Sequence, residues 1–259
     1  MRPDGTGKRR LTRGKIDSNP AWSPDGDRIA FHRIAPGGGD IYVMSARGTN
    51  VTRLTQRDGL DGYPAWSPDG RRIAFTHNND ARGISRVFVM DADGSDVTRL
   101  AGAKHSSFLP TWSPDGGRIA FVRSVPCRSD RRTRCGNALF VMDADGANRR
   151  RVTPFHRSQV MEYPDWSPDG RWIAYDRAGD CCLKTGVWLV RPNGTDRHRV
   201  TRTESRHPSW SPDGRRLVVD FGTDTPNSDL WVLSRGGRAV RRLTRGPAFD
   251  SEPAWSGPR

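Results

Sequence analysis

Helical periodicity, long apolar runs and catalytic phrases are missing from this 259-residue chain, and lysine and cysteine are scarce. Each shortage closes off a class of protein. No apolar run approaches the roughly 18 residues that suggest a membrane-spanning helix. No apolar stretch follows the N-terminus, so no signal peptide is visible. No segment sustains a 3.6-residue apolar period, so helix is expected to be scarce. There is no Gly-x-Ser-x-Gly elbow, His-Glu-x-x-His pair, phosphate loop or dinucleotide fingerprint, which leaves no catalytic residue to nominate. Hydrophobic residues make up 34% of the chain, and the mean hydropathy is −0.76. Short, half-exposed strands joined by polar turns produce such values. Of 43 basic residues, 39 are Arg and only 4 are Lys, an imbalance that base composition explains as readily as ligand binding.

What is present is one phrase repeated. Pro20-Ala21-Trp22-Ser23-Pro24-Asp25-Gly26, followed by Arg28-Ile29-Ala30-Phe31, returns at Pro64 to Phe75, Pro110 to Phe121, Pro164 to Tyr175 and Pro208 to Val219. A further copy starts at Pro253-Ala254-Trp255-Ser256. The motif tryptophans Trp22, Trp66, Trp112, Trp166, Trp210 and Trp255 are spaced by 44, 46, 54, 44 and 45 residues. A period of about 40–50 residues signals a repeat array and suits propeller blades.

Each repeat reads as four strands. The run through Pro-x-Trp is strand A. Ser-Pro-Asp-Gly is a tight turn, in which Pro presets φ, Asp bonds its own backbone and Gly takes a left-handed conformation. Arg-Ile-Ala-Phe is strand B. An apolar strand C follows a variable loop, as in Ile41-Tyr42-Val43-Met44 or Leu139-Phe140-Val141-Met142. Strand D closes the unit after a second Gly turn, as in Val97-Thr98-Arg99-Leu100. With Pro-x-Trp-Ser-Pro-Asp-Gly, Ile-Tyr-Val-Met and Arg-Leu-Thr, the chain resembles the WD-like repeat family of TolB-type β-propellers over nearly its whole length. The fold this predicts is all-β: a single β-propeller domain over 1–259, made of four-stranded antiparallel blades. Five complete blades are expected at about 13–55, 56–100, 101–153, 154–201 and 202–244. A partial sixth combines 1–12, supplying strand D, with 245–259, supplying strand A. Two strands would be missing between them, so either the reading frame starts upstream of Met1, which is the expectation, or the ring is five complete blades with loose terminal strands. The family serves scaffolds, binding proteins and accessory domains of hydrolases alike, so the repeat says little about function.

The charge of +14 and the isoelectric point near 10.8 bear on partners. Arginines follow the Ser-Pro-Asp-Gly turn (Arg28, Arg71, Arg72, Arg118, Arg171, Arg215, Arg216) and populate strand D (Arg53, Arg99, Arg149 to Arg151, Arg241, Arg242). Charge on an outer strand blocks edge-to-edge pairing, and that is the expected role. The alternative is an anion-binding rim for nucleic acid, an anionic cell-envelope polysaccharide or a lipid surface. Nucleic acid is disfavoured, because no aromatic-basic signature or DNA-reading helix accompanies the charge.

The A–B and C–D turns share one face, so the B–C and D–A connections share the other and carry the variation. Candidate ligand-binding residues at the channel mouth are Asp17, Asp61, Tyr63, His105, Phe108, Glu162, Tyr163, His207, Asp250 and Glu252, all on D–A connections. Binding commonly resides in variable polar loops on a rigid scaffold. Asp91 to Asp96 and Asp143 to Asn148 are rich in acids but lack the downstream Glu of a helix–loop–helix calcium site, and they read as hairpin turns. Cys127 and Cys135 bracket one B–C loop, while Cys181 and Cys182 sit in the next. A disulfide clamp on that face is expected, with free thiols and a zinc site as alternatives. No cofactor or metal is assigned, although the six dispersed histidines could gather around a channel. The reading is a monomeric, non-catalytic binding scaffold for a protein, peptide or envelope ligand, periplasmic or extracellular by family resemblance. A propeller lyase or hydrolase, or the accessory propeller of a peptidase, is the alternative.

Overall fold

The computed structural model describes residues 1–13, 16–35, 38–79, 83–102, 104–125, 136–155, 159–179, 186–202, 204–221, 228–245 and 250–256, with 159–162 and 178–179 as backbone only. Among these residues the chain is strand and turn throughout, and no helix is long and apolar enough to cross a membrane. Cys127, Cys135, Cys181 and Cys182 lie outside the described residues.

The strands follow the repeat. β1 (Ile16–Trp22), β2 (Arg28–Ala35), β3 (Gly38–Ser45) and β4 (Thr52–Arg53) pair antiparallel in chain order, as do β5 (Gly59–Trp66), β6 (Arg72–Asn78), β7 (Arg86–Asp91) and β8 (Thr98–Ala101). A short parallel contact, Gly38 to Gly59 and Gly39 to Leu60, fuses these two units into one sheet. Three separate four-stranded sheets follow: β9 (Ser107–Trp112) to β12 (Arg150–Arg151), β13 (Gln159–Trp166) to β16 (His198–Arg199), and β17 (Ser205–Trp210) to β20 (Ala239–Arg242). The remaining members are β10 (Arg118–Val125), β11 (Gly136–Asp143), β14 (Ile173–Gly179), β15 (Gly186–Val190), β18 (Arg216–Phe221) and β19 (Asp229–Ser234). This is a β-propeller of four-stranded antiparallel blades.

Local chemistry explains the repeated letters. In the first Ser-Pro-Asp-Gly turn, the buried Ser23 hydroxyl donates to Asp25 Oδ1 at 2.5 Å and accepts from the Arg28 N–H at 2.9 Å. Gly26 takes φ 73°, the left-handed region that costs a residue with a Cβ. Ser67, Ser113, Ser167 and Ser211 repeat the Ser–Asp bond. The Ser hydroxyl bond is the main reason that Asp25, Asp69, Asp115 and Asp213 are held below the usual carboxylate range. The threonine of Arg-Leu-Thr has an equally fixed task. Thr55, Thr153, Thr201 and Thr244 are buried, and their hydroxyls accept from the N–H of Ile41, Leu139, Val187 and Leu230 near the start of the third strand of their units. Each satisfies a backbone donor that strand pairing leaves over.

Packing between blades uses the same residues. The apolar face of one unit closes on the motif tryptophan of the next, as where Ala30, Ile41 and Val43 meet Trp66, Ile73 and Phe75. The arginine after the turn then caps that tryptophan. The Arg28 guanidinium lies 4.5 Å from the Trp66 ring, Arg72 4.7 Å from Trp112 and Arg118 5.6 Å from Trp166. Cation–π contacts of this kind contribute about 0.5–2 kcal/mol. These arginines are therefore part of the blade interface rather than the charged rim. In the fourth unit Trp172 stands at the arginine's place and packs into the cluster around Trp210, and Arg191 and Arg235 stack on it in turn.

Trp66, Trp112, Trp166 and Trp210 are buried, but Trp22 and Trp255 are half-exposed. Those two border the terminal segments, where the expected strands do not form: residues 1–13 and 250–256 carry no ladder. With no second and third strand beside them, neither segment has a full partner to pair with. They are held by side contacts instead. Leu11 packs on Ile29, Phe31 and Met44, Arg241 donates to the Asp4 carbonyl at 3.3 Å, and the Trp255 N–H reaches Ser209 Oγ at 3.4 Å.

Candidate functional site

The site is built by one backbone irregularity repeated in every motif. Pairing of the first strand of each unit skips two residues against one: register shifts fall between Ser18 and Ala21, Gly62 and Ala65, Glu162 and Asp165, and Arg206 and Ser209. On β9 the skipped pair is Leu109 and Pro110, opposite Phe121. The residue before each motif proline is left-handed: Asn19 (φ 51°), Tyr63 (55°), Leu109 (56°), Tyr163 (50°), His207 (50°) and Glu252 (53°). Such a conformation costs a non-glycine residue roughly 1–2 kcal/mol, and bulges commonly re-aim a side chain. Here they turn these residues toward a common axis, where they line a cavity of about 310 Å³ together with the following prolines, Trp22, Trp66, Trp112, Trp255 and Asp165.

Aromatic contacts cross this cavity. The rings of Tyr63 and Tyr163, from non-adjacent units, meet edge to face at 5.9 Å between centroids. Tyr163 in turn meets the His207 imidazole at 4.0 Å. Behind His207 stand two buried carboxylates. Its Nδ1 lies 2.9 Å and 3.0 Å from the oxygens of Asp220, and its backbone N–H donates to Asp176 at 3.3 Å. Burial works against the imidazolium. The Asp220 hydrogen bond and charge, with the fields of Asp176 and Glu252, outweigh it and hold His207 above the ordinary histidine value.

Asp165 is the second electrostatic feature. Its carboxylate accepts from the Trp210 N–H of the next unit at 2.8 Å. Part of its surface faces the cavity, but it lies deep among the inner strands. Desolvation pushes its acid up to about 7, against the two backbone hydrogen bonds that favour the carboxylate.

The ten sequence candidates separate by position. Tyr63, Tyr163, His207 and Glu252 line the cavity. Asp17 lies outside it, in a two-pronged ion pair with Arg33 at 2.6 and 2.9 Å. Asp61 is buried against His77, 2.6 Å from Nδ1. Phe108 is half-buried on β9, and His105 is half-buried just ahead of it. Asp250 donates its N–H to the Ser228 carbonyl at 2.9 Å. The backbone of Glu162 pairs with Asp176, and its side chain lies outside the described residues. The structure adds Asn19, Leu109 and Asp165. A usable signal for Asp165 was present, since it is the one acid at a motif position filled elsewhere by Ala21, Ala65, Thr111, Ser209 and Ala254. Near the mouth, burial keeps the His32 imidazole below the ordinary value, although Glu252, Asp40, Asp61 and Asp17 oppose that shift. Among the described residues, no three His, Cys, Asp or Glu side chains gather closely enough to hold a metal ion.

Repeated Trp-anchored blades around an axial cavity define a β-propeller. A family model for the TolB beta propeller domain matches residues 6–130 and 125–258, so the chain belongs to that family. The Tol-Pal system protein TolB of Anaeromyxobacter dehalogenans (strain 2CP-C) is 35% identical over 119 residues, covering 45% of this chain and 26% of that protein. The chain thus spans about a quarter of the length of that curated relative. Among solved structures, TolB from Acinetobacter baumannii superposes with a TM-score of 0.76 at 24% identity, covering 94% of this chain and 58% of that one. An oligogalacturonate lyase in complex with manganese gives 0.63 at 16% identity, covering 87% and 65%. These two likenesses show the fold alone.

Proposed function

We propose that this chain is a non-catalytic binding scaffold of the cell envelope, acting outside the cytoplasm, that recognises a protein or peptide through the channel mouth and the loops around it. The observation that carries this reading is the ring of left-handed residues ahead of the motif prolines, which presents Tyr63, Tyr163, His207 and Glu252 to one cavity. Backbone strain held on rigid strands is characteristic of pre-organised sites. A cavity near 300 Å³ suits a side chain or short segment, at the low end for a small-molecule site. The relative named as a Tol-Pal system protein supports a role within a multi-protein system. An anionic envelope glycan fits the arginine-rich outer strands better than a cavity containing carboxylates.

Site-specific photocrosslinking in the native host tests the proposal. A photoreactive residue at Tyr63 is expected to capture a discrete envelope protein, and one at Val97 on the outer surface is not. Equal, diffuse labelling from both positions would count against it. Alkylation of Cys127, Cys135, Cys181 and Cys182 in the same cells tests the compartment, since four freely reacting thiols would argue for a reducing one.

A further inference from the structure

We infer that the axial cavity receives a cationic group, a guanidinium or ammonium, carried into it by the bound peptide; this rests on the binding-scaffold reading above. The cavity is a local inversion of the molecule's charge. Lys and Arg make up 43 of the 259 residues, and the net charge is +14, yet none of the 22 described residues lining the cavity is Lys or Arg. Its titratable lining is Tyr63, Tyr163, Asp165, His207 and Glu252. His207 is already matched by Asp220, whose two oxygens both lie within hydrogen-bonding distance of its Nδ1. That leaves on the wall two carboxylates bonded only to backbone, Glu252, which accepts from the Asn19 N–H, and Asp165, which accepts from the Trp210 backbone N–H, with no Lys or Arg among the described lining residues.

The aromatic lining favours the same ligand class. The Tyr63 and Tyr163 rings meet edge to face, and aromatic faces attract Lys and Arg cations by about 0.5–2 kcal/mol, most where water is excluded. Low-dielectric walls around a recess of about 310 Å³ strengthen each of these interactions relative to open water. An incoming cation would also favour the Asp165 carboxylate, offsetting the desolvation that raises its acid. An anionic group would meet the wall carboxylates unpaired, which burial makes costly. The arginine-rich exterior adds a second condition. A uniformly basic ligand would be repelled on approach, so the ligand is a single Lys or Arg between neutral or acidic neighbours.

The test uses the intact chain and a peptide carrying fluorescein on its N-terminal amine, Gly-Asp-Gly-Arg-Gly-Asp-Gly-amide, with Lys, citrulline or Glu substituted at the centre. Anisotropy is expected to show the Arg and Lys peptides binding at least tenfold more tightly than the citrulline peptide, with the Glu peptide weakest. Glu252→Gln and Asp165→Asn should each weaken the Arg peptide about tenfold. Asp165→Asn keeps the oxygen that accepts from Trp210, so its weakening cannot be ascribed to unfolding if its melting temperature is maintained. Displacement of the peptide by agmatine assigns the cavity to small cationic molecules as well as to side chains, and failure of agmatine confines it to peptide-borne cations. Equal binding of the Arg and citrulline peptides overturns the inference, as does absence of binding by both the Arg peptide and agmatine. If the Tyr63 crosslink still captures a partner in that case, the scaffold reading survives and only the charge preference falls.

Discussion

The Glu252 carboxylate accepts a hydrogen bond from the backbone N–H of Asn19 at 2.6 Å, joining residues 233 positions apart. Both residues are left-handed, and both precede a motif proline. Through this bond the C-terminal segment is fastened to the first strand, where no β-ladder joins them. Replacing Glu252 with Ala should therefore cost about 1–3 kcal/mol, the range for a charged hydrogen bond to a partly buried donor. Hydrogen exchange should accelerate first in residues 16–22 and 250–256. Uniform protection across all units in that variant would show that this bond is not what holds the ends.

Motif tryptophans should differ in weight according to their neighbours. Trp112 is 6% exposed and capped by Arg72, so Trp112→Ala should cost about 3–5 kcal/mol. Trp22 is half-exposed beside the N-terminal segment, and the same change there should cost clearly less. Chemical denaturation of both variants decides this. Equal losses would contradict the idea that the joint between the ends is more loosely packed than the others.

The arginines divide into interface and rim. Arg72→Gln should lose about 0.5–2 kcal/mol of stability through the Trp112 contact, while Arg71→Gln, at the exposed neighbouring position, should stay within about 0.5 kcal/mol of wild type. A double-mutant cycle with Trp112→Phe isolates the Arg–Trp interaction. A coupling energy of zero would return Arg72 to the solvated rim.

Stability should peak at mildly acid pH. Asp165 has its folded value raised to about 7, so the folded state holds an extra proton between the ordinary carboxylate value and about 7, and stability falls as pH rises through that window. His207 is also raised, so its contribution is present below about 6.5 and is lost as pH rises through its folded value. The turn aspartates Asp25, Asp69, Asp115 and Asp213 are lowered. Their contribution is present above about 4 and is lost as pH falls below it. Asp165→Asn should remove the first effect, gaining about 1–3 kcal/mol at pH 8 and little at pH 4. Denaturation midpoints measured from pH 4 to 8 test this, and a variant curve parallel to wild type would refute the assignment to Asp165.

The repeat made the architecture legible from the letters alone. Pro-x-Trp, Ser-Pro-Asp-Gly and Arg-Leu-Thr each act within one unit or its neighbour, through a turn bond, a hydroxyl on a strand donor, or a ring under the preceding unit's guanidinium. Interactions that local recur with the sequence period, so the strands, the turns and the family could be read without coordinates. The cavity could not. Ten residues on the D–A connections shared the same claim to the channel mouth, and Asp17 and Tyr63 look equally placed in the sequence. Only the bulge decides between them, because two residues opposite one partner and a left-handed φ rotate the residue before proline inward, while Asp17 stays on the ladder and pairs with Arg33. The environment of Asp165 is likewise a product of the neighbouring unit's approach, and the bond from Asn19 to Glu252 of the meeting of the two ends. They bring together residues from different units or opposite ends of the chain, and no local pattern records which ones will meet or how much water will remain between them.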